Sequence, residues 1–482
     1  DTKDAVGDKC AVAVRFAVDE LLGPKGITCE SEGREVVEML SEIPDLWDVN
    51  ISGWENDSVT SRFEKEGYQE TYINFVKSLT TKPVVGVGRY TSPDTMVSLI
   101  KRGVMDMIGA ARPSIADPFL PNKIEEGRID EIRECIGCNI CVAGDWLAVP
   151  MRCTQNPTMG EEWRRGWHPE RIEYRKSDDG VLVLGGGPAG LECALTLGKR
   201  GYRVILAEAS AELGGRVSRE SKLPGLAEWG RVRDHRVVML EKLKNVTLYL
   251  GSSLTAEDIL EFSFDDKFGF SHIFLATGAT WRRDGIAREH REPIPGLEHV
   301  SVLTADDIMD GVSAHGKVVI FDDEHYYMGG VLAEKLRLDG HDVKLVTPAP
   351  DISTWTHNTM EQGRIQKNLL ELGVELATHH NLASIHSEAV ELACVFTDRR
   401  IRYSCDTLVL VTERQPNDDI YSTMQADPGG VAKSGLKTIQ CIGDCLAPGI
   451  IAASVHSGHL AAREFEADMP GEVPFLRERV ML

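Results

Sequence analysis

The chain has 482 residues, enough for about three domains, with 42% hydrophobic residues and a net charge of −22. That charge excludes nucleic acid or an anionic membrane as the main partner, because phosphate binding needs clustered cations. There is no apolar run of about 18 residues and no charged-then-apolar leader, so neither a membrane span nor a signal peptide is predicted, and eleven cysteines, most of them scattered, fit a reducing cytoplasm.

Residues 1–120 alternate short apolar runs (11–18, 46–52, 83–88 and 105–111) with amphipathic segments (34–43, 68–79 and 92–102). Strand–helix alternation predicts a parallel sheet. Four such units make half of an eight-stranded barrel, which needs about 250 residues, and a half barrel leaves two unpaired edges. The expectation is therefore the C-terminal half of a TIM (β/α)8 barrel whose N-terminal part lies outside this sequence. Barrel chemistry sits at the carboxyl ends of strands; Arg15 lies inside the first apolar run, Trp54, Glu55 and Asp57 follow the second, Gly88 and Arg89 end the third and Arg112 ends the fourth. Gly86, Gly88 and Gly109 let backbone approach a ligand, and Arg89 and Arg112 suit a phosphate, a pattern that fits FMN.

Residues 121–178 contain RECIGCNICVAGDWLAVPMRC. Cys135, Cys138 and Cys141 recur at every third position and Cys153 follows after a short loop. Four soft thiolates in one compact run are an iron-sulfur ligand set, most naturally for [4Fe-4S]. A zinc site more often shows two separated Cys-x-x-Cys pairs, and a disulfide has no use for a third cysteine. The remaining close pair, Cys441 and Cys445, reads as core thiols.

After a polar linker (175–179) comes VLVLGGGPAGLECALTLGKRGYRVILAEA. Gly185, Gly187 and Gly190 form GxGxxG between a strand and a helix, with Glu208 ending the next strand where it can meet ribose hydroxyls. The diphosphate belongs at the helix N-terminus. Gly215 and Arg216, the ATGA at 276–279 and Asp444 in IGD extend the pattern to the two-dinucleotide-domain flavoproteins. A first Rossmann-like domain is expected over 179–299 and 415–482, with a second inserted at 300–414. The second opens with KVVIFDDEHYYMGG, placing Asp322, Asp323 and Glu324 where a phosphate turn wants glycines. Three carboxylates repel a pyrophosphate, so this domain reads as a degenerate NAD-binding fold. The last fifteen residues read as a surface tail or dimer arm.

The ordered motifs GVGRY, GAARPSIADPF, CIGCNIC and CTQNPTMGEEWRRGWHPER resemble the trimethylamine dehydrogenase family of iron-sulfur flavoproteins, and the similarity runs essentially the length of the chain. The resemblance implies FMN attached through a cysteine absent from this chain, a [4Fe-4S] cluster, bound ADP in the first dinucleotide fold, and a homodimer. It implies that Arg15 lies near the flavin ring, Arg112 near its phosphate, Trp54 in an aromatic pocket wall, and Asp57 in an active-site Tyr-His-Asp group. Where the trimethylamine enzyme has a tryptophan four residues past the third cluster cysteine, this chain has Asp145, followed by Trp146. A trimethylammonium cage needs aromatic faces, so the carboxylate suits a substrate with another polar or cationic group. Histamine fits that change; dimethylamine and trimethylamine are the alternatives, since Trp146 can take the wall position.

If NAD(P)H does not deliver electrons, the amine must, and the expected reaction is oxidative deamination to aldehyde and ammonia. The resemblance implies electron-transferring flavoprotein as the acceptor, with Tyr326 and Tyr327 as a candidate docking surface. The rivals are an NAD(P)H-dependent enoate or dienoyl-CoA reductase, which needs an intact second nucleotide site, and a non-enzymatic electron carrier.

Overall fold

The structure, a computed structural model, describes residues 2–168, 170–263 and 269–468, and divides into two compact units, Asp1–Cys141 and Val142–Leu482. In the first unit, strands β1 (Ala13–Asp19), β2 (Leu46–Ile51), β3 (Val84–Gly86) and β4 (Met107–Ile108) pair in sequential order, all parallel. Sequential parallel strands with intervening helices form a barrel wall. The two-residue period sorts its faces. Val14, Phe16, Val18, Trp47 and Val49 enter the core beneath the helices, whereas Arg15 donates to Asp48 Oδ2 at 2.9 Å from the opposite face. Helix Glu32–Leu40 lies tight on β1, since a Cβ on Gly33 would come within 2.1 Å of the Val18 carbonyl oxygen.

The helix expected over 68–79 is instead a short helix, Glu70–Ile73, and a 3-10 turn, Val76–Leu79. Gln69, just before the short helix, is fully buried. Its Oε1 accepts from the Ile51 N–H at 3.2 Å and its Nε2 donates to Asp57 Oδ1 at 2.8 Å, so it closes the end of β2.

The second unit contains two five-stranded parallel sheets of the same plan. In the first, the order is Thr438–Cys441, His272–Leu275, Gly180–Leu184, Arg203–Ala207, Val246–Tyr249. The other runs Ser301–Thr304, Thr407–Val411, Lys317–Asp322, Asp342–Val346, Glu375–Ala377. In both, the first strand of the nucleotide motif is central and the chain crosses to its other side later, the doubly wound arrangement. An antiparallel pair, Ala279–Trp281 with Arg414–Pro416, joins the two folds.

Helix Pro188–Lys199 is buried along nearly its whole length against helix Ile451–Glu464. Gly458 permits the contact, as a Cβ there would stand 2.1 Å from the Ala189 carbonyl. Within it Glu192 meets Arg236 and His459, each at 2.8 Å. Burial alone would raise the Glu192 carboxyl, but Arg236 and His459 outweigh it and hold the group well below the usual range. The expected C-terminal tail lies, beyond residue 468, outside the described residues. Among the described residues no helix is long and apolar enough to cross a membrane.

Candidate functional site

At the carboxyl end of β2 the chain turns through Gly53 (φ +84°) into the short helix Trp54–Asp57. Arg15 approaches Asp57 Oδ2 at 3.5 Å, so these two predicted residues share one ion pair. Tyr68 donates its hydroxyl hydrogen toward the Asn56 and Asp57 carbonyl oxygens, at 2.7 and 2.5 Å, and burial raises its pKa. Trp54 is 41% exposed. The Arg15 guanidinium is also open, with 54% of the side chain accessible.

Arg89 and Arg112 both reach toward one loop of the barrel wall. Arg89 is buried in the left-handed region (φ +55°) and donates from Nη2 to the Glu64 carbonyl at 2.8 Å. Arg112 Nη1 donates to the Ser58 and Val59 carbonyls, both at 3.1 Å, and to Asn139 Oδ1 at 2.8 Å. Both guanidiniums thus bind backbone carbonyls of the 57–64 loop. Gly88 and Gly109 act in packing: a Cβ would meet Tyr90 at 3.0 Å in one case and Val87 at 2.6 Å in the other.

Cys135, Cys138 and Cys141 lie in the first unit and Cys153 in the second; all four are half-buried and none forms a disulfide. The first loop is tightly built. Cys135 N–H donates to Thr91 Oγ1 at 2.8 Å, Gly137 N–H points at Cys135 Sγ at 3.4 Å, and Ser61 binds the Ile136 carbonyl at 2.6 Å. An N–H aimed at sulfur suits a thiolate ligand. The segment after Cys153 is anchored through Gln155, whose side-chain and backbone oxygens each accept from Arg236 at 3.1 Å. Asp145 and Trp146 end helix Ile140–Trp146, and both are exposed.

The first nucleotide fold carries a cavity of about 670 Å³ at the switch between strands Gly180–Leu184 and His272–Leu275. Gly185, Gly187, Glu208, Gly215, Arg216 and Asp444 all line it. The glycines divide the work. A Cβ on Gly185 (φ +106°) would strike the Ala276 carbonyl at 2.3 Å and one on Gly190 the Gly185 carbonyl at 1.8 Å, while one on Gly187 meets nothing within 4 Å. Gly187 therefore opens the helix N-terminus to the cavity, where N–H groups favour an anion. Glu208 Oε2 accepts from Gly186 N–H at 2.6 Å, which orients its carboxylate beside the phosphate turn. This donor set fits a nucleoside diphosphate.

In the second fold the equivalent turn is filled. Asp322 and Asp323 are wholly buried, and Asp322 Oδ1 accepts from the Glu324 and His325 N–H groups at 3.1 and 2.9 Å. A Cβ on Gly329 would touch Asp322 Oδ2 at 2.5 Å, so the side chain presses on the start of helix Met328–Leu338. Tyr326 and Tyr327 are 6% and 5% exposed. They pack on each other and on Trp355 and Trp229, with ring centroids 4.6 to 4.8 Å apart, which removes them as a docking surface.

Burial, reinforced by Glu324, raises the Asp322 carboxyl from its ordinary 3.8 to about 8. The folded protein then holds a proton that the unfolded chain has released, so stability falls as pH rises from about 4 to about 8. Asp322→Asn should flatten that slope, raising Tm at pH 8 by at least about 4 °C with little change at pH 4.5, in thermal unfolding scans.

Residues that sequence reading did not single out include Gln69, Tyr68 and Asn139, which position Asp57 and Arg112, and Glu220 and Arg414, which hold Arg216 and Asp444. None carries a motif; each is defined by partners distant in the chain.

With this geometry in hand, comparison defines the class. Residues 1–131 match the NADH:flavin oxidoreductase / NADH oxidase family and residues 179–458 the pyridine nucleotide-disulphide oxidoreductases, so the chain is a flavoprotein oxidoreductase. It is 41% identical to dimethylamine dehydrogenase of Hyphomicrobium sp. (strain x), over 98% of this chain and 68% of that protein. Among solved structures, histamine dehydrogenase from Rhizobium sp. 4-9 matches with 48% identity and a TM-score of 0.95, covering 100% of this chain and 69% of that one. The 6-hydroxypseudooxynicotine amine oxidase from Pseudomonas geniculata N1 matches with 49% identity and a TM-score of 0.92, covering 96% and 68%. The chain belongs to the trimethylamine dehydrogenase family.

Proposed function

We propose that the protein oxidatively deaminates a primary amine, histamine, to the aldehyde and ammonia, passing electrons from FMN through a [4Fe-4S] cluster to an external acceptor such as electron-transferring flavoprotein. FMN when bound supplies the hydride acceptor, and the cluster supplies one-electron transfer. The relatives that oxidise amines support the reaction class. The observation that carries the direction of electron flow is the second nucleotide turn, where buried Asp322 and Asp323 take the place of a pyrophosphate. In this reading residues 1–120 hold FMN, 121–178 the cluster through Cys135, Cys138, Cys141 and Cys153, and 179–299 with 415–482 bind ADP, leaving 300–414 without NAD.

Each chain residue has a task. Arg15 orients charge at the flavin edge, and Asp57, paired with Arg15 and Gln69, keeps the pocket anionic and accepts a proton from the ammonium, since only a neutral amine gives up hydride readily. Trp54 walls the substrate. Asp145 accepts the remote cationic or polar group of the amine. In the same reading the protein is cytoplasmic, from the scattered cysteines of its sequence, and, from the family resemblance, a homodimer.

The test is anaerobic mixing of the full-length holoprotein with histamine, dimethylamine, trimethylamine or NADH, followed by stopped-flow absorbance. Histamine alone should bleach the flavin rapidly. Asp145→Trp should weaken histamine and favour trimethylamine, each by about tenfold or more in kcat/KM. Bleaching by methylated amines instead would retain the dehydrogenase and discard histamine; bleaching by NADH alone would reverse the electron flow.

A further inference from the structure

The nucleotide cavity spans the carboxyl edge of a sheet in which Arg203–Ala207, ending at Glu208, and Thr438–Cys441, leading to Asp444, lie three strand spacings apart, about 14 Å. A nucleotide with its ribose at Glu208 and its diphosphate at Gly187 reaches the middle of that span. Anything attached beyond the diphosphate runs on toward Asp444.

A buried charge lattice lines that far end. Arg216 donates from Nε to Glu220 Oε1 and from Nη1 to Asp444 Oδ2 and the Gly449 carbonyl, each at 2.8 Å. Its Nη2 reaches the Tyr327 hydroxyl at 3.2 Å, and that hydroxyl donates to Glu220 Oε2 at 2.7 Å. Arg414 binds the same Asp444 oxygen at 2.7 Å, while Asp444 Oδ1 accepts from Gly449 N–H and Ser454 Oγ at 3.1 and 2.8 Å. Both Asp444 oxygens are therefore saturated by protein, leaving poor acceptors for the hydroxyls of a longer cofactor. Displacing Arg216 would strand the buried Glu220 carboxylate without its counterion, which is strongly unfavourable.

Tyr327 belongs to the second nucleotide fold, and its ring packs on Trp229 of the first at 4.8 Å. Packed side chains of both folds thus stand directly beside Arg216. We infer that Arg216, locked between Glu220, Asp444 and Tyr327, is the specificity-determining residue that limits the first fold to a nucleoside diphosphate and bars a flavin dinucleotide. This rests on the reading of that cavity as an ADP site.

The test uses the full-length holoprotein and the double variant Arg216→Ala with Glu220→Gln, in which no carboxylate loses its partner at position 220. Each is incubated with FAD, gel-filtered and denatured, and the released ADP, FAD and FMN are separated by chromatography. The wild type should release ADP and no FAD, and the double variant should retain at least about tenfold more FAD at the expense of ADP. Arg216→Lys, which keeps the cation but gives up the fork, should show partial FAD uptake and serves if the double variant does not fold. Retention of FAD by the wild type, or ADP with no FAD in a folded variant, would overturn the inference. Absence of any adenine nucleotide from the wild type would remove the ADP reading and the inference with it.

Discussion

Gly137→Ala should strip the protein of most of its iron and acid-labile sulfide. Gly137 lies between Cys135 and Cys138, the first two ligands of the proposed cluster, at φ +62°, where a side chain is strained by about 1–2 kcal/mol. Space is the larger obstacle. A Cβ would stand 1.9 Å from Arg89 Nη1 and 2.8 Å from the Ser61 nitrogen. Arg89 is buried and cannot swing into solvent without abandoning the Glu64 carbonyl, and the Ser61 N–H already donates to the Gly137 carbonyl at 3.0 Å. The loop must open, which displaces Cys135 and Cys138 together. Cys138→Ala is the matched control: it deletes a ligand but leaves the turn intact. Both variants should lose iron, but only Gly137→Ala should also lower the Tm of the apoprotein. Full iron content in Gly137→Ala would show that the loop accommodates the methyl group without moving the cysteines.

Asp57→Asn should lower kcat/KM for the amine by about a hundredfold while leaving the fold unchanged. The asparagine oxygen can still accept from Gln69 Nε2, which anchors Asp57 at 2.8 Å, so stability is preserved. What is lost is the negative charge opposite Arg15 and the only carboxylate that the pocket reading makes a proton acceptor. The deficit should shrink as pH rises, because free amine then becomes abundant without help. A pH profile of kcat/KM distinguishes this from simple misplacement of the loop, which would depress activity equally at every pH.

Much of this molecule is legible in one dimension because its signals are local. The alternation of apolar runs and amphipathic segments gives the parallel sheets; the short Cys-x-x-Cys-x-x-Cys repeat and GxGxxG are contiguous motifs whose spacing is itself the geometry. Even the failed phosphate turn of the second fold is visible as Asp322, Asp323 and Glu324, because the residues that fill it are the ones that replace its glycines.

Direction and partnership are another matter. An arginine in or after a strand looks the same in sequence whether or not its side chain binds a carbonyl; Arg15 remains more than half exposed, while Arg89 and Arg112 bind the carbonyls of Glu64, Ser58 and Val59. Two adjacent tyrosines read equally as surface or as core, and only the approach of Trp229 and Trp355 decides for core. Sequence by itself therefore determined the classes of element and the chemistry of the motifs, which depend on neighbours within a few residues. Tertiary structure alone decided which charges are available: Arg216 meets Asp444 across 228 residues and Tyr327 across 111, and hydrogen bonds at such separations are set by how the sheets stack.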